Sequence, residues 1–401
     1  MRLAPRGSLS CALVARRILL VEPQAHLDHG HYPVIFAERA ADLIELGYEV
    51  EVLTRQGWAL AGDPAFPALT IHRFGTFALA TDRFAQRLWR VGTRAFGHRL
   101  ASIGRSAVIV LAARAWRRKI GATAIVVFHP CDERVASLLA GPGSWYLNQS
   151  GQPRTIRGPS VRLANWAARR AEVRRERRGG RLRGSYTTEG ALESWQRDLS
   201  WFAPHILPLA TYRDRPQMTA AAARAEVGLP DRGRLALFFG FHAAKDPDVI
   251  FQAFSHLSEW QLVVAGSGAA PAYRKWEELR RGDRVPILIE GFADEATRAL
   301  LHSAVDLMVL SYQPSWQGFD SGGLMDALAW GLPVVCSDGC QAARIIRAHN
   351  LGTVFEPGNV DTLVAAVRAA PQSPDPVGRA HARSEMSGRR VAQRILDSLD
   401  L

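Results

Sequence analysis

Several short turns in the second half of this 401-residue chain carry residue types that suit a phosphate ester. Ser321-Gly322-Gly323 stand where a glycine-rich turn runs into a helical pattern, just after the apolar run Leu307 to Leu310. The first amides of a helix lack an internal acceptor and sit at the positive end of its dipole, so such a turn is built to meet phosphate oxygens. Asp326 follows about one helical turn later, on a side from which a carboxylate reaches a ribose. A lone Gly-Gly more often only permits a tight turn, with the acid exposed on the helix surface. Here other turns of the same kind tip the balance: Gly240 to Lys245, Gly266 to Gly268, and Gly291-Phe292. Lys245 is one of only three lysines, with Lys119 and Lys275, which weakens its reading as an incidental surface cation.

The elements that position these turns alternate cleanly after about residue 233. Apolar runs at Leu235–Phe239, Leu262–Ala265, Ile287–Ile289, Leu307–Leu310 and Val334-Val335 read as strands. Asp246-Pro247 and Asp294 read as helix starts between them. Five strands separated by helices predict a doubly wound parallel sheet, in which ligands bind at the carboxyl ends of the strands. Every turn named above lies at such an end. In the first half, Ile18–Val21, a helix with Ala37, Ala40, Ala41 and Ile44 inward, and Val50–Leu53 predict a βαβ opening. Ala124–Phe128 is a further strand, closed by His129-Pro130, and the basic stretch from Asp82 to Ile120 reads as helical and amphipathic in places.

Asp326-Ala327, Gly331, Pro333-Val334-Val335 and the downstream Gly352 resemble the signature of glycosyltransferase group 1. The resemblance implies the GT-B fold, an α/β architecture of two Rossmann-like doubly wound domains facing across a cleft. With the proline-punctuated stretch from Pro204 to Pro230 as the boundary, the expected domain plan is a ragged or misassigned start at 1–16, an acceptor-binding domain at 17–208, and a linker at 209–232. A nucleotide-sugar domain at 233–372 and a C-terminal helical segment at 373–401, packing back on the first domain, complete it. The resemblance also implies roles. Gly240 to Lys245 would contact the donor diphosphate, with Lys245 as the cation and His242 where the family often has arginine. Gly266 lies at the same strand edge. Gly291-Phe292 would cradle the base, Asp326 would hold the ribose hydroxyls, and the Ser321, Gly322 and Gly323 amides would meet the phosphates. The family's Glu-x7-Glu pattern is altered: the first acid falls on Gly318, and the second is Asp326. Asp320, two residues on, is the candidate to reach the donor sugar in its place. His129 corresponds to a strand-end histidine facing the sugar and phosphate, which makes His129, Lys245 and Asp320 the catalytic candidates. His26, His29, Gly30 and His31 cluster after the first strand; His29, Gly30 and His31 are read as acceptor contacts rather than metal ligands, because no His-Glu-x-x-His pattern accompanies them. The family implies sugar transfer from a nucleotide-diphospho-sugar with retention, no metal and no cofactor beyond the donor.

Bulk properties fit two domains of roughly 200 residues. Net charge is +12, carried almost wholly by arginine, and it concentrates at Arg83–Lys119 and Arg169–Arg183. Such a face suits an anionic membrane or a lipid-linked acceptor as well as a glycan or small-molecule one; solvated arginine is the bland alternative. Nucleic acid is disfavoured, since no recognition motif accompanies the charge. No apolar run approaches the roughly 20 residues of a membrane span. The four cysteines show no metal spacing, so reduced thiols and a cytoplasmic chain, associated with the inner membrane face, are expected. A nucleotide-sugar 2-epimerase and a non-catalytic donor-binding scaffold are the competing functions.

Overall fold

A computed structural model describes residues 16–23, 32–56, 67–75, 96–128, 131–149, 159–186, 202, 205–213, 218–241, 245–266, 268–269, 271, 274, 285–291, 293–314 and 321–401. His26, His29, Gly30, His31, His129, His242, Phe292, Gly318 and Asp320, all singled out above, lie outside the described residues.

Two parallel sheets organise the chain. The first contains β1 (Arg17–Val21), β2 (Glu49–Thr54), β3 (Thr70–Arg73), β4 (Ala124–Val127), β5 (Ser144–Gln149), β6 (Leu182–Tyr186) and β7 (His205–Ile206). Its order is β3-β2-β1-β4-β5-β6-β7. The second contains β8 (Arg234–Phe239), β9 (Trp260–Ala265), β10 (Ile287–Ile289), β11 (Leu307–Leu310), β12 (Val334–Ser337) and β13 (Gly352–Phe355), in the order β10-β9-β8-β11-β12-β13. Strands covered by helices on both faces must be apolar throughout. Accordingly Ile18 to Val21 and Leu307 to Leu310 are wholly buried. The chain reverses direction across each sheet between β1 and β4, and again between β8 and β11, which opens a crevice at the carboxyl ends of those pairs.

The expected helix starts are present. Asp246 accepts a hydrogen bond from the Val249 amide with Pro247 at the first helical position, and Asp294 accepts one from Thr297. Five strands escaped the sequence reading: β3, β5, β6, β7 and β13. Each is short or mixed in character, such as Leu-Arg-Gly-Ser-Tyr in β6, and draws its stability from pairing with a neighbour rather than from its own pattern. The stretch 209–232, read as a linker, contains a helix at Ala220–Glu226 that packs on the Glu295–Ala304 helix.

The chain ends with helices Pro376–Glu385 and Gly388–Ser398. The last one buries Val391, Ala392, Ile395 and Leu396 against Ile18, Leu20, Phe36 and Ala40 of the first domain. The C-terminus therefore crosses back and ties the two halves together.

Candidate functional site

The strand tips of the second sheet meet through bare backbone. Gly240 and Gly266 end β8 and β9 with φ of +71° and +108°. A Cβ on Gly266 would stand 3.0 Å from the Cα and N of Gly240, and the Gly240 amide donates to the Ala265 carbonyl at 2.8 Å. Only glycine fits both the left-handed turn and this approach. Gly291 ends β10 in the same way, at φ +96°.

Lys245 returns the chain to the switch point between β8 and β11. Its backbone bridges Tyr312, and the Asp246 amide donates to the Ser311 carbonyl at 3.2 Å. The ammonium donates to the Phe239 carbonyl at the tip of β8 and lies 5.4 Å and 5.9 Å from the ring centres of Phe238 and Tyr312. Lys245 is 7% exposed. Burial pushes its pKa down to about 8, against the opposing pull of Asp326. The bland reading of a solvated surface lysine is therefore excluded; this is a cation stored at a strand end.

Ser321 fixes the helix Gly322–Trp330 to the same edge. Its hydroxyl accepts from the Leu324 amide at 3.1 Å and lies 2.6 Å from the Tyr312 hydroxyl, while the Tyr312 amide donates to Ser337 Oγ at 2.8 Å. Tyr312 thus links the tips of β11 and β12 to the helix start. Sequence reasoning missed it because nothing distinguishes it from a core tyrosine. Gly323 is needed for close packing as well as for a turn: a Cβ there would lie 2.7 Å from Leu310 Cδ2. Ser321 is buried and Gly322 and Gly323 are half-buried, and among the described residues neither glycine amide has an acceptor.

Asp326 occupies a different setting from the exposed helix residue that the bland reading assumed. Its carboxylate is wholly enclosed, 3.4 Å from Arg298 and 3.8 Å from His302 Nε2. Neither oxygen has a hydrogen-bond donor among the described residues. Burial disfavours the Arg298 cation, but Asp326, Tyr212 and Glu295 together hold its pKa above the ordinary value. His302 donates from Nδ1 to the Arg298 carbonyl at 2.7 Å and stacks on Trp330 at 4.8 Å. Burial lowers its pKa, so the ring is held neutral against the attraction of Asp326. The signal for these partners was present in the sequence: Arg298, Leu301 and His302 share the inner face of one helix.

The far end of the Asp326 helix is also held. Arg379 donates to the carbonyls of Leu328 and Ala329 at 3.0 and 3.3 Å, and Arg383 to Leu328 at 3.0 Å. These cations satisfy its last acceptors. Amides at one end and arginines at the other fix this helix along its axis.

In the first domain, Leu163, Trp166 and Val173 are 67%, 56% and 41% exposed on one face of the Pro159–Glu176 helix, with Arg170 lying 4.8 Å over the Trp166 ring. A concavity of about 960 Å³, lined by Arg117, Arg178, Arg181 and Arg183, opens at the amino-terminal edge of the first sheet, away from the carboxyl ends of its strands. Cys336 and Cys340 are free thiols in hydrogen-bond contact, with sulfurs 3.6 Å apart. No described helix is long and apolar enough to cross a membrane.

Residues 233–372 match the family model of glycosyl transferases group 1. No curated protein matches the chain by sequence. Among solved structures, the chain is similar to sucrose-phosphate synthase from Thermosynechococcus elongatus, with a TM-score of 0.64 at 15% identity over 96% of this chain and 98% of that one. It is similar to WaaG, a glycosyltransferase involved in lipopolysaccharide biosynthesis, with a TM-score of 0.54 at 19% identity over 96% of both chains. Anabaena Alr3699/HepE, solved in complex with UDP-glucose, gives a TM-score of 0.58 at 14% identity over 95% of this chain and 98% of that one. Residues 233–372 thus resemble the glycosyl transferases group 1 family, and the chain as a whole has the two-domain GT-B fold.

Proposed function

We propose that this protein transfers a sugar from a nucleotide-diphospho-sugar to an acceptor held by the first domain. The observation that carries the reading is the convergence at one sheet edge of a buried lysine and two helix amides that have no acceptor among the described residues. Departure of the sugar places growing negative charge on the diphosphate. Fixed donors aimed there stabilise the transition state more than the ground state, each worth about 2–4 kcal/mol. Lys245 and the Gly322 and Gly323 amides supply that stabilisation, and Gly291 is the proposed cradle of the base. Asp326 is read as the ribose contact: neither oxygen has a hydrogen-bond donor among the described residues, and because the carboxylate is wholly enclosed, ribose hydroxyls reach it only once the side chains covering it move aside. His129 and Asp320 complete the proposed catalytic set on the sugar side, with retention of configuration and no metal in the step. His242 and Phe292 join the donor contacts, and His29, Gly30 and His31 the acceptor side.

The exposed Leu163, Trp166 and Val173, set among Arg162, Arg169, Arg170 and Arg174, support a lipid-linked acceptor reached at an anionic membrane surface. One experiment reads both points. The protein is incubated with each common nucleotide-sugar, with and without anionic phospholipid vesicles. Slow release of nucleoside diphosphate from one donor, and co-sedimentation with vesicles that Leu163→Ser/Trp166→Ser abolishes, are expected. Conversion of a nucleotide-sugar to its epimer would replace the transferase reading, and no donor consumption at all would leave only a scaffold. Sedimentation unchanged in the double variant would remove the membrane contact.

A further inference from the structure

We propose that His349, His381 and Glu385 form a binding site for a single zinc-class divalent ion, on the opposite edge of the second sheet from the donor. His381 and Glu385 stand four apart on the Pro376–Glu385 helix, so they project from one face. His349 follows the Gln341–Ala348 helix and precedes β13, which places it at the amino-terminal edge of the sheet. The His349 and His381 Nε2 atoms lie 3.5 Å and 3.6 Å from the two Glu385 oxygens, and one ligand atom from each residue falls within 4.8 Å of the others.

Those separations are informative. They exceed the roughly 2.7–2.9 Å of a charge-assisted hydrogen bond. They run to different Glu385 oxygens, and the three ligand atoms span up to 4.8 Å, so side-chain rotation must draw them toward the roughly 3.3 Å edges of a tetrahedron with metal–ligand bonds of about 2.0–2.1 Å. Two imidazoles and one carboxylate form a donor set for zinc, cobalt, nickel or copper rather than for magnesium or calcium. Three protein ligands leave a position open to water, and His381 is 64% exposed on its side chain, so the ion has an entry path.

The site is prearranged by backbone contacts that owe nothing to a metal. A Cβ on Gly378 would fall 1.8 Å from the His349 carbonyl oxygen, so the Pro376–Glu385 helix rests directly on the His349 backbone. The Asp375 amide donates to the Asn350 carbonyl at 3.2 Å, and the His349 amide to Ile345 at 3.1 Å. Backbones fixed in this way leave only side-chain freedom to be lost on binding. The ion would staple the helix whose Arg379 and Arg383 hold the end of the Asp326 helix, and whose successor packs on the first domain. Its role is structural, and it stands outside the transfer chemistry.

The test uses untagged full-length protein, stripped with chelator and titrated with zinc chloride by calorimetry, with cobalt(II) absorption as an independent readout. Because other histidines also take up zinc, the comparison is between wild type and variants. Wild type is expected to take up one tight equivalent and to show the intense visible bands of four-coordinate cobalt. His381→Ala and Glu385→Gln, both at accessible side chains, should each weaken that equivalent at least tenfold and remove the bands, with melting temperatures of the metal-free proteins unchanged. Zinc isotherms that are the same in wild type and both variants, or no uptake by wild type, would overturn the proposal.

Discussion

Lys245→Met is expected to slow transfer by on the order of 10²-fold while making the folded protein more stable at neutral pH. The buried ammonium has a folded pKa of about 8, against an ordinary 10.5, so the unfolded chain binds more protons between those values. Stability of the wild type therefore rises as pH climbs through that window, and the full penalty is carried below about pH 8. The difference corresponds to at most roughly 3 kcal/mol. Loss of the hydrogen bond to the Phe239 carbonyl reduces it to about 2 kcal/mol. Removing the cation should at the same time lower turnover by on the order of 10²-fold, the cost of one preorganised contact to developing charge. Chemical denaturation at pH 7 and at pH 10 gives the first part: the variant should lead at pH 7 and lose that lead at pH 10. A variant less stable at pH 7, yet fully active, would show Lys245 to be an ordinary core residue.

Asp326→Asn is the second large effect, and it works through Arg298. Removing one partner of a buried ion pair leaves an uncompensated charge, at a typical cost of about 3–5 kcal/mol. Arg298 is 5% exposed and Asp326 fully enclosed, but Glu295 stays 3.3 Å from the same guanidinium, so the lower part of that range applies. Replacing both, as Asp326→Leu with Arg298→Met, should recover most of the loss, because apolar side chains of similar volume need no partner. The ribose role is read separately: wild type should prefer a nucleoside diphosphate over its 2′-deoxy analogue, and the folded fraction of Asp326→Asn should not. An Asp326→Asn protein as stable as wild type would dismiss the ion pair, and equal affinity of wild type for the two nucleotides would dismiss the ribose.

Much of the second domain was legible because its core strands are continuous apolar runs and its helices carry Asp caps. A strand buried on both faces cannot tolerate polar residues, and Asp246 and Asp294 satisfy amides that would otherwise go unpaired. β13 was lost because it opens on Gly352, and β6 because Arg183 and Gly184 interrupt it; both are held by long-range pairing that no local pattern encodes. The glycines and Lys245 were legible as a strand-edge group because each lies just past a strand. Their burial was not. That Lys245 would turn back onto the Phe239 carbonyl, or that Asp326 would face Arg298 across two helices, depends on how separate segments pack. The same holds for Tyr312, whose hydroxyl meets Ser321 only because β11 and the following helix share an edge.

The most direct measurement compares the affinity of the intact protein for a nucleoside, its monophosphate and its diphosphate, using calorimetry with the uridine, guanosine and adenosine series. If strand-end amides and a stored lysine are shaped around a pyrophosphate, one series should show at least a tenfold gain from monophosphate to diphosphate, and that gain should vanish in Lys245→Met. A flat series, with the second phosphate adding nothing for any base, would contradict the account.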